Sequence, residues 1–296
     1  MKMRRQIPLH FMMIPAVVVT LVFSYGPLFG LVMAFQRFDP GKGFLGSPFV
    51  GLDNFVRLFT MSGSTQLLWN TFFIATMKVV ANQFVPILLA IILHEITSRF
   101  ARRTVQTVLY VPYFLSWVIL GVVIRYFLAP EGFVNLFLLK PIGIDPILFL
   151  GDKVLFPFTL VLTDLWQNAG FSTIIFLAAI TNANPELYEA ARMDGANRLH
   201  LIRHVTIPAM TPIIILTATL SIGNVFNAGF DQIFMLQSSA VLETGDVIDT
   251  FVYRMGLLNQ QYSLGAAVGM FKSTVSLFMV SLSYYFAIRY SDYRIF

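Results

Sequence analysis

Glu189-Ala190-Ala191-Arg192-Met193-Asp194-Gly195 and, nine residues on, Val205-Thr206-Ile207-Pro208 form a polar island between two apolar runs, about 154–181 and 209–235. Each run exceeds the ~20 apolar residues that a helix needs to cross the hydrocarbon core of a membrane. Four further runs do the same, at about 8–36, 67–94, 105–128 and 263–289. The sequence therefore predicts an all-α integral membrane protein with six transmembrane helices, one domain spanning residues 1–296. The first run contains Pro15 and Gly26-Pro27, so a kink or tilt is expected there.

Composition agrees. The chain is 57% hydrophobic and 12% charged, with 30 Phe, whereas a soluble domain carries roughly 25% charge. There are 0 Cys, which excludes a disulfide framework, a thiol nucleophile and a Cys-based metal site. The basic start Met1-Lys2-Met3-Arg4-Arg5 resembles a signal peptide. The apolar run behind it is longer than the roughly 7–15 residues of a signal core and ends in no small-residue cleavage pattern, so it reads as an uncleaved first span.

Arg and Lys predict the orientation. With the N-terminus inside, the inner segments carry eleven of them (Lys2, Arg4, Arg5, Arg99, Arg102, Arg103, Arg192, Arg198, Arg203, Arg289, Arg294) and the outer segments six (Arg37, Lys42, Arg57, Lys140, Lys153, Arg254). That bias places both termini and the 182–208 loop in the cytoplasm. It also assigns the net charge of +5 to cytoplasmic loops rather than to nucleic-acid binding. The chain shows no internal repeat and no second soluble domain.

Within the loop, Asn184 is an apt N-cap, Pro185 an apt first helical residue, and Glu186 and Glu189 suit the positive end of a helix. Gly195 can end that helix by adopting positive φ. A second helical piece, about 196–204, carries an apolar stripe at Leu199, Ile202 and Val205, and Pro208 opens the next span. Two short helices across the membrane surface are expected, with small Ala side chains that let a partner approach. The plainer reading is an interfacial amphipathic linker.

This stretch resembles the EAA loop of binding-protein-dependent ABC importer permeases. The family pattern is E-A-A, three residues, G, nine residues, I-x-L-P. The spacing here is identical, with Val205 for Ile and Ile207 for Leu. Phe49-Val50-Gly51-Leu52-Asp53-Asn54-Phe55-Val56-Arg57 is similar to the V-G-L-x-N-F element of sugar-importer permeases. Asn70-Thr71, Glu131-Gly132-Phe133-Val134-Asn135 and Leu165-Trp166-Gln167-Asn168-Ala169-Gly170-Phe171 fit the same group in order. The segments Gly229-Phe230-Asp231-Gln232-Ile233-Phe234 and Gly245–Tyr253 are most similar to permeases for complex oligosaccharides.

The resemblance implies a bacterial inner-membrane subunit that forms half of a saccharide pathway. Its expected partners are a second permease, by analogy a different chain, two cytoplasmic ATPase subunits that hold ATP and Mg, and an extracytoplasmic solute-binding protein. It implies that the loop is a coupling helix, with Glu189, Ala190, Ala191, Asp194, Gly195, Arg198 and Pro208 as the ATPase-coupling residues. The chain itself carries no phosphate loop, since Gly265–Lys272 has the wrong spacing, and no cofactor is expected on it.

Polar residues inside the spans are costly in lipid, so each implies a partner or a wet cavity. Thr163, Asp164, Gln167 and Asn168 share a helical face, with Trp166 pointing away; Ser221, Asn224, Asn227 and Asp231 form a second stripe. Either these stripes line a sugar pathway, or they hydrogen-bond helix to helix at about 0.6–2 kcal/mol each. Lys78, Arg125 and Lys272 set three cations against Asp164 and Asp231. That excess suits an anionic saccharide such as a uronate oligomer, against the alternatives of structural pairing with Asp and of a snorkelling Arg125. His200 and His204 stand at i, i+4 without a third ligand and read as surface residues, so no metal site is expected. The competing functions are an ion-coupled secondary sugar transporter, disfavoured by the lack of repeats, and a membrane hydrolase, disfavoured by the lack of H-E-x-x-H or G-x-S-x-G.

Overall fold

The protein is described here by a computed structural model covering the backbone of residues 2–290 and the side chains of 11–286 and Arg289. The side chains of Lys2, Arg4 and Arg5, and Arg294 altogether, lie outside the described residues. The described residues are mainly helical, with a lone antiparallel bridge between Gln36 and Phe49. The helices that matter below are α1 (Lys2–Thr20), α2 (Asp53–Thr60), α3 (Ser64–Glu95), α4 (Arg99–Tyr110), α5 (Trp117–Leu128) and α6 (Leu155–Thr181). They are followed by α7 (Pro185–Met193), α8 (Arg198–Leu201), α9 (Ile207–Ile222), α10 (Phe230–Leu236) and α11 (Tyr262–Tyr290). Among the described residues, five helices are long and apolar enough to cross a membrane, and six if one bent pair counts as a single span.

The chain divides into two compact units, one made of the described residues up to Ser64 with Phe251–Lys272, the other of Thr65–Thr250 with Ser273 onward. In the first unit, α1 continues through a π turn at Leu21–Tyr25 into a 3-10 segment at Gly26–Phe35. Pro27 has no N–H to continue the α ladder, so the helix changes type where a kink was expected. None of the apolar window along Phe11–Phe35 is buried within the chain. The Val50–Phe55 element closes back on the end of this span. The Val50 N–H donates to the Phe35 carbonyl at 2.8 Å, and Asn54 Nδ2 donates to the carbonyls of Ala34 (2.9 Å) and Gln36 (3.0 Å). Gly51 turns the chain there at φ +61.

The second unit departs from the sequence expectation in two places. The run 105–128 is not one straight helix. Arg99–Phe114 and Trp117–Leu128 meet at 110°, because Pro112 interrupts the ladder and Ser116 starts a new helix as its N-cap. The fifth run is also displaced: a helical stretch runs Arg198–Ile222, the backbone is irregular over 223–229, and α10 resumes at Phe230. Gly229, at φ +89, makes that re-entry possible. Ser221, Asn224, Asn227 and Asp231 therefore do not form a continuous helical stripe.

The core of this unit joins α3, α5, α6 and α10 through Ile74, Leu120, Ile124, Phe156, Leu160, Ile233 and Leu236. A smaller cluster of Ala90, Phe176, Ile180 and Met210 joins α3, α6 and α9. Helix α6 carries the stitching for the bend. Gln167 Nε2 donates to the Leu115 carbonyl at 3.0 Å, Phe171 stacks on Tyr113 at 4.0 Å, and Gly170 faces the Leu109 backbone. A methyl at Gly170 would lie 2.0 Å from the Leu109 carbonyl oxygen, which is backbone and cannot swing away. Gly170→Ala is thus expected to destabilise the protein by about 1–3 kcal/mol or more, whereas Gly151→Ala, whose methyl would meet Leu148 at an ordinary 3.7 Å, leaves it unchanged. Unfolding midpoints of the purified protein in detergent test this, and equal midpoints for the two variants would refute the packing argument.

Candidate functional site

The polar island folds as its residue types dictate. Asn184 accepts the Glu186 N–H at 3.0 Å, Pro185 occupies the first turn, and Arg192 lies in the last turn. At the far end the Gly195 N–H bonds the Arg192 carbonyl (3.0 Å) and the Ala196 N–H bonds the Ala191 carbonyl (2.9 Å). With Gly195 at φ +80, this is a complete Schellman cap, so the glycine four residues after Ala191 is a geometric requirement. Asp194 is the C-cap residue. Asn197 then caps α8 by accepting the His200 N–H at 2.9 Å.

The second piece is not a separate surface helix. Helix α8 passes through a π turn at Ile202–Thr206 directly into α9. The Ile207 N–H reaches back to the Ile202 carbonyl, a π-type bond immediately before Pro208. Pro208 therefore lies inside a continuous helical stretch rather than at the mouth of a new one.

Helix α7 exposes Glu189 and Ala190, leaves Met193 87% exposed, and half-buries Tyr188 and Ala191. Tyr188 Oη lies 3.1 Å from Thr206 Oγ1 and its ring 5.9 Å from that of His94. Arg198 Nη1 lies 3.9 Å from Glu95 Oε2. These contacts tie α7 and α8 to the end of α3 and the π turn before α9, and keep the Glu189–Ala190 face outward. His200 Nδ1 faces Asn197 Oδ1 at 2.9 Å, and His204 Nδ1 the His200 carbonyl at 3.1 Å.

Five polar residues of the spans, Lys78, Asn82, Thr163, Asp164 and Gln232, assemble into one cluster. The Lys78 ammonium pairs with Asp164 Oδ1 at 3.3 Å, donates to the Ala228 carbonyl at 2.6 Å, and donates to Gln232 Oε1. All three of its donors are used. Asp164 Oδ2 accepts from Asn82 Nδ2 at 2.8 Å, and Gln232 Nε2 donates to the Leu160 carbonyl and to Thr163 Oγ1, both at 2.7 Å. Lys78 and Asp164 thus take the structural pairing that stood as the alternative to facing an anionic sugar. Arg125 donates instead to the carbonyls of Met235 (2.7 Å) and Gln237 (3.4 Å) at the end of α10, where a cation complements the helix dipole.

The remaining candidates are dispersed. Gln167 is buried on the bend, half-buried Asn168 donates to its own Asp164 carbonyl, and Asn224, Asn227 and Asp231 are exposed along the irregular segment and the start of α10. Lys272 is half-buried on α11. Sequence reasoning missed Asn82 and Gln232. The signal was present in both cases, since an amide inside an apolar run needs a partner.

A structural likeness defines the class first. The chain superposes with TM-score 0.90 and 34% identity, over 98% of both chains, on a crystal structure described as a bacterial ABC transporter involved in the import of the acidic polysaccharide alginate. A second crystal structure, of bacterial alginate ABC transporter in complex with alginate pentasaccharide-bound periplasmic protein, matches with TM-score 0.89 and 34% identity over 97% and 96% of the two chains. Among curated proteins, the polygalacturonan/rhamnogalacturonan transport system permease protein YteP of Bacillus subtilis is 39% identical over 95% of this chain and 88% of its own length. The protein LplB of Bacillus subtilis is 34% identical over 97% and 91%. Residues 82–296 match the model of the family described as binding-protein-dependent transport system inner membrane component. The chain belongs to that family. It is a permease of an ABC importer, in a transport family rather than a catalytic one. None of these matches supports the ion-coupled carrier.

The buried pair yields a double-mutant prediction. Lys78→Met leaves Asp164 at low dielectric without its counter-charge and is expected to cost about 3–5 kcal/mol of stability, most of it recovered when Asp164→Leu is added. Denaturant unfolding in micelles measures this. A double variant as unstable as Lys78→Met alone would count against the pairing.

Proposed function

We propose that this subunit imports an acidic oligosaccharide, with residues 1–296 acting as one permease domain whose termini and 182–208 loop face the cytoplasm. Helix α7 is then the coupling helix. The observation that carries this reading is the E-A-A-x-x-x-G spacing, realised as an exposed helix with a complete Schellman cap. Glu189 and Ala190 offer a charge and a flat surface to an ATPase groove, Asp194 and Gly195 end the helix, and Arg198 and Pro208 belong to the stretch that joins it to α9. From Arg198 onward that stretch is helical, so a push on α8 passes into the spans rather than dissipating in a linker.

The proposed assembly has this permease, a second and different permease, two ATPase subunits that hold ATP and Mg, and a solute-binding protein outside the bacterial inner membrane. ATP favours the outward-facing state by binding it more tightly, and hydrolysis returns the pathway inward. Asn168, Asn224, Asn227 and Asp231 are the pathway candidates, since amides and carboxylates serve sugar hydroxyls. Lys78 and Gln167 act by holding the broken helices in place, and Lys272 is the remaining cationic candidate. The acidic character of the substrate is supported by what the similar proteins are described as carrying, polygalacturonan/rhamnogalacturonan and the acidic polysaccharide alginate.

Glu189→Lys and Ala190→Trp, both on the exposed face, are expected to lower ATPase activity stimulated by loaded binding protein by roughly 5- to 150-fold, the span of ordinary coupling free energies of about 1–3 kcal/mol. The second permease and the ATPase should co-purify with the wild-type chain. Transport that survives both substitutions and needs only an ion gradient would sink the proposal.

A further inference from the structure

A polar cavity of about 270 Å³ lies within the first unit, lined by Arg37, Phe38, Asn54, Arg57, Gln260, Gln261 and Tyr262 among others. Its size falls just under the roughly 300–1,000 Å³ that holds a drug-sized ligand and suits one monosaccharide unit. We propose that it is a receiving subsite for a single uronate unit of the saccharide, a reading that rests on the acidic-oligosaccharide function above.

The chemistry of the walls points to that ligand. Two guanidinium groups, Arg37 and Arg57, border the cavity against one carboxylate, Asp53. Among the described residues, neither guanidinium has a carboxylate within 4.0 Å. Arg57 Nη2 donates to Gln261 Oε1 at 3.2 Å, which orients its planar fork. A guanidinium fork matches a carboxylate in shape and charge, and it keeps its own charge at any physiological pH.

The other walls suit a polyhydroxylated ring. The side chains of Gln260 and Gln261 bring amide donors and acceptors for hydroxyls. Tyr262 presents an aromatic ring held edge-on by Phe38 at 6.2 Å, and the Phe38 N–H is fixed to Ser263 Oγ at 2.8 Å. Asn54 is committed to the Ala34 and Gln36 carbonyls and serves as a rigid wall. Gln260 sits at φ +57, the lone non-glycine at positive φ among the described residues. That conformation is uncommon for a side-chain-bearing residue and tends to cluster where a ligand is met. A carboxylate from a partner protein would need the guanidinium groups alone; the amides and the ring are the additional features that favour a sugar.

The test uses the purified complex in detergent without its binding protein, titrated with trigalacturonate and, separately, with neutral galactotriose. Trigalacturonate should bind and galactotriose should not, and the binding should weaken as NaCl is raised. Arg37→Gln and Arg57→Gln should each weaken it roughly tenfold or more, as loss of a charge-assisted hydrogen bond does, while Arg57→Lys recovers part and Tyr262→Phe retains more than Tyr262→Ala. Intact complexes on size exclusion show that the variants fold. Wild-type affinity in the variants overturns the subsite, as does binding of galactotriose equal to that of trigalacturonate. So does an outcome in which the variants lose only the docking of the binding protein, which would make the cavity a protein contact. If uptake assays show the wild-type complex carrying neutral oligosaccharides and no uronates, it is the proposed function that has failed. If uronates are carried and the variants bind trigalacturonate normally, only the subsite has.

Discussion

In hydrocarbon, a helix can break only where its freed carbonyls find donors, because no water is there to supply them. At the break over 223–229, backbone N–H groups take the Ser221, Ile222, Asn224 and Gly229 carbonyls, and one ammonium group takes that of Ala228. Lys78, on α3, donates to the Ala228 carbonyl, to Gln232 at the start of the resumed helix, and to Asp164 on α6. The same residue therefore holds the irregular segment, fixes α10 and joins two long helices. Its counter-charge is satisfied in turn by Asn82, so neither buried ion is left bare. Such a cluster adds little net stability over a well-packed apolar equivalent. What it provides is a unique position for a segment that hydrophobic packing alone would leave free to slide.

The bend in the third run obeys the same rule by different means. Pro112 and the new start at Ser116 leave the Leu115 carbonyl without a helical partner, and Gln167 reaches it from α6. Gly170 allows the backbones to approach, and Phe171 locks the contact by stacking on Tyr113. Three residues of the Leu165–Phe171 segment thus serve one junction.

Helix α7 shows the opposite regime. It buries little, and its form comes from local chemistry at its ends: an Asn–Pro start and a Gly stop. A helix so capped keeps its shape while presenting Glu189, Ala190 and Met193 outward. After the Gly195 stop, α8 begins at Arg198 and the π turn before Pro208 makes α8 continuous with α9. Local rules thus build the rod, and tertiary contacts from Tyr188 and Arg198 set its seat.

Much was legible in the sequence because its causes are local or periodic. The apolar runs, the Asn184 cap and the Gly195 stop each follow from hydropathy or from one residue's backbone preference. The stripe read across Ser221–Asp231 failed because periodicity assumes an unbroken helix; Gly229 permits a break in that window, but the lysine that holds it lies some 150 positions earlier. The straight third span failed likewise, its bend being held from α6. Whether Lys78 faces a sugar or pairs with an aspartate stayed open for the same reason, since its pairing with Asp164 is a fact of three-dimensional placement. Sequence alone determined the lipid-spanning fold and the form of the exposed helix. Only the tertiary structure decided where the helices break and which buried charges are spent holding them, because those choices depend on donors and acceptors that meet from distant parts of the chain.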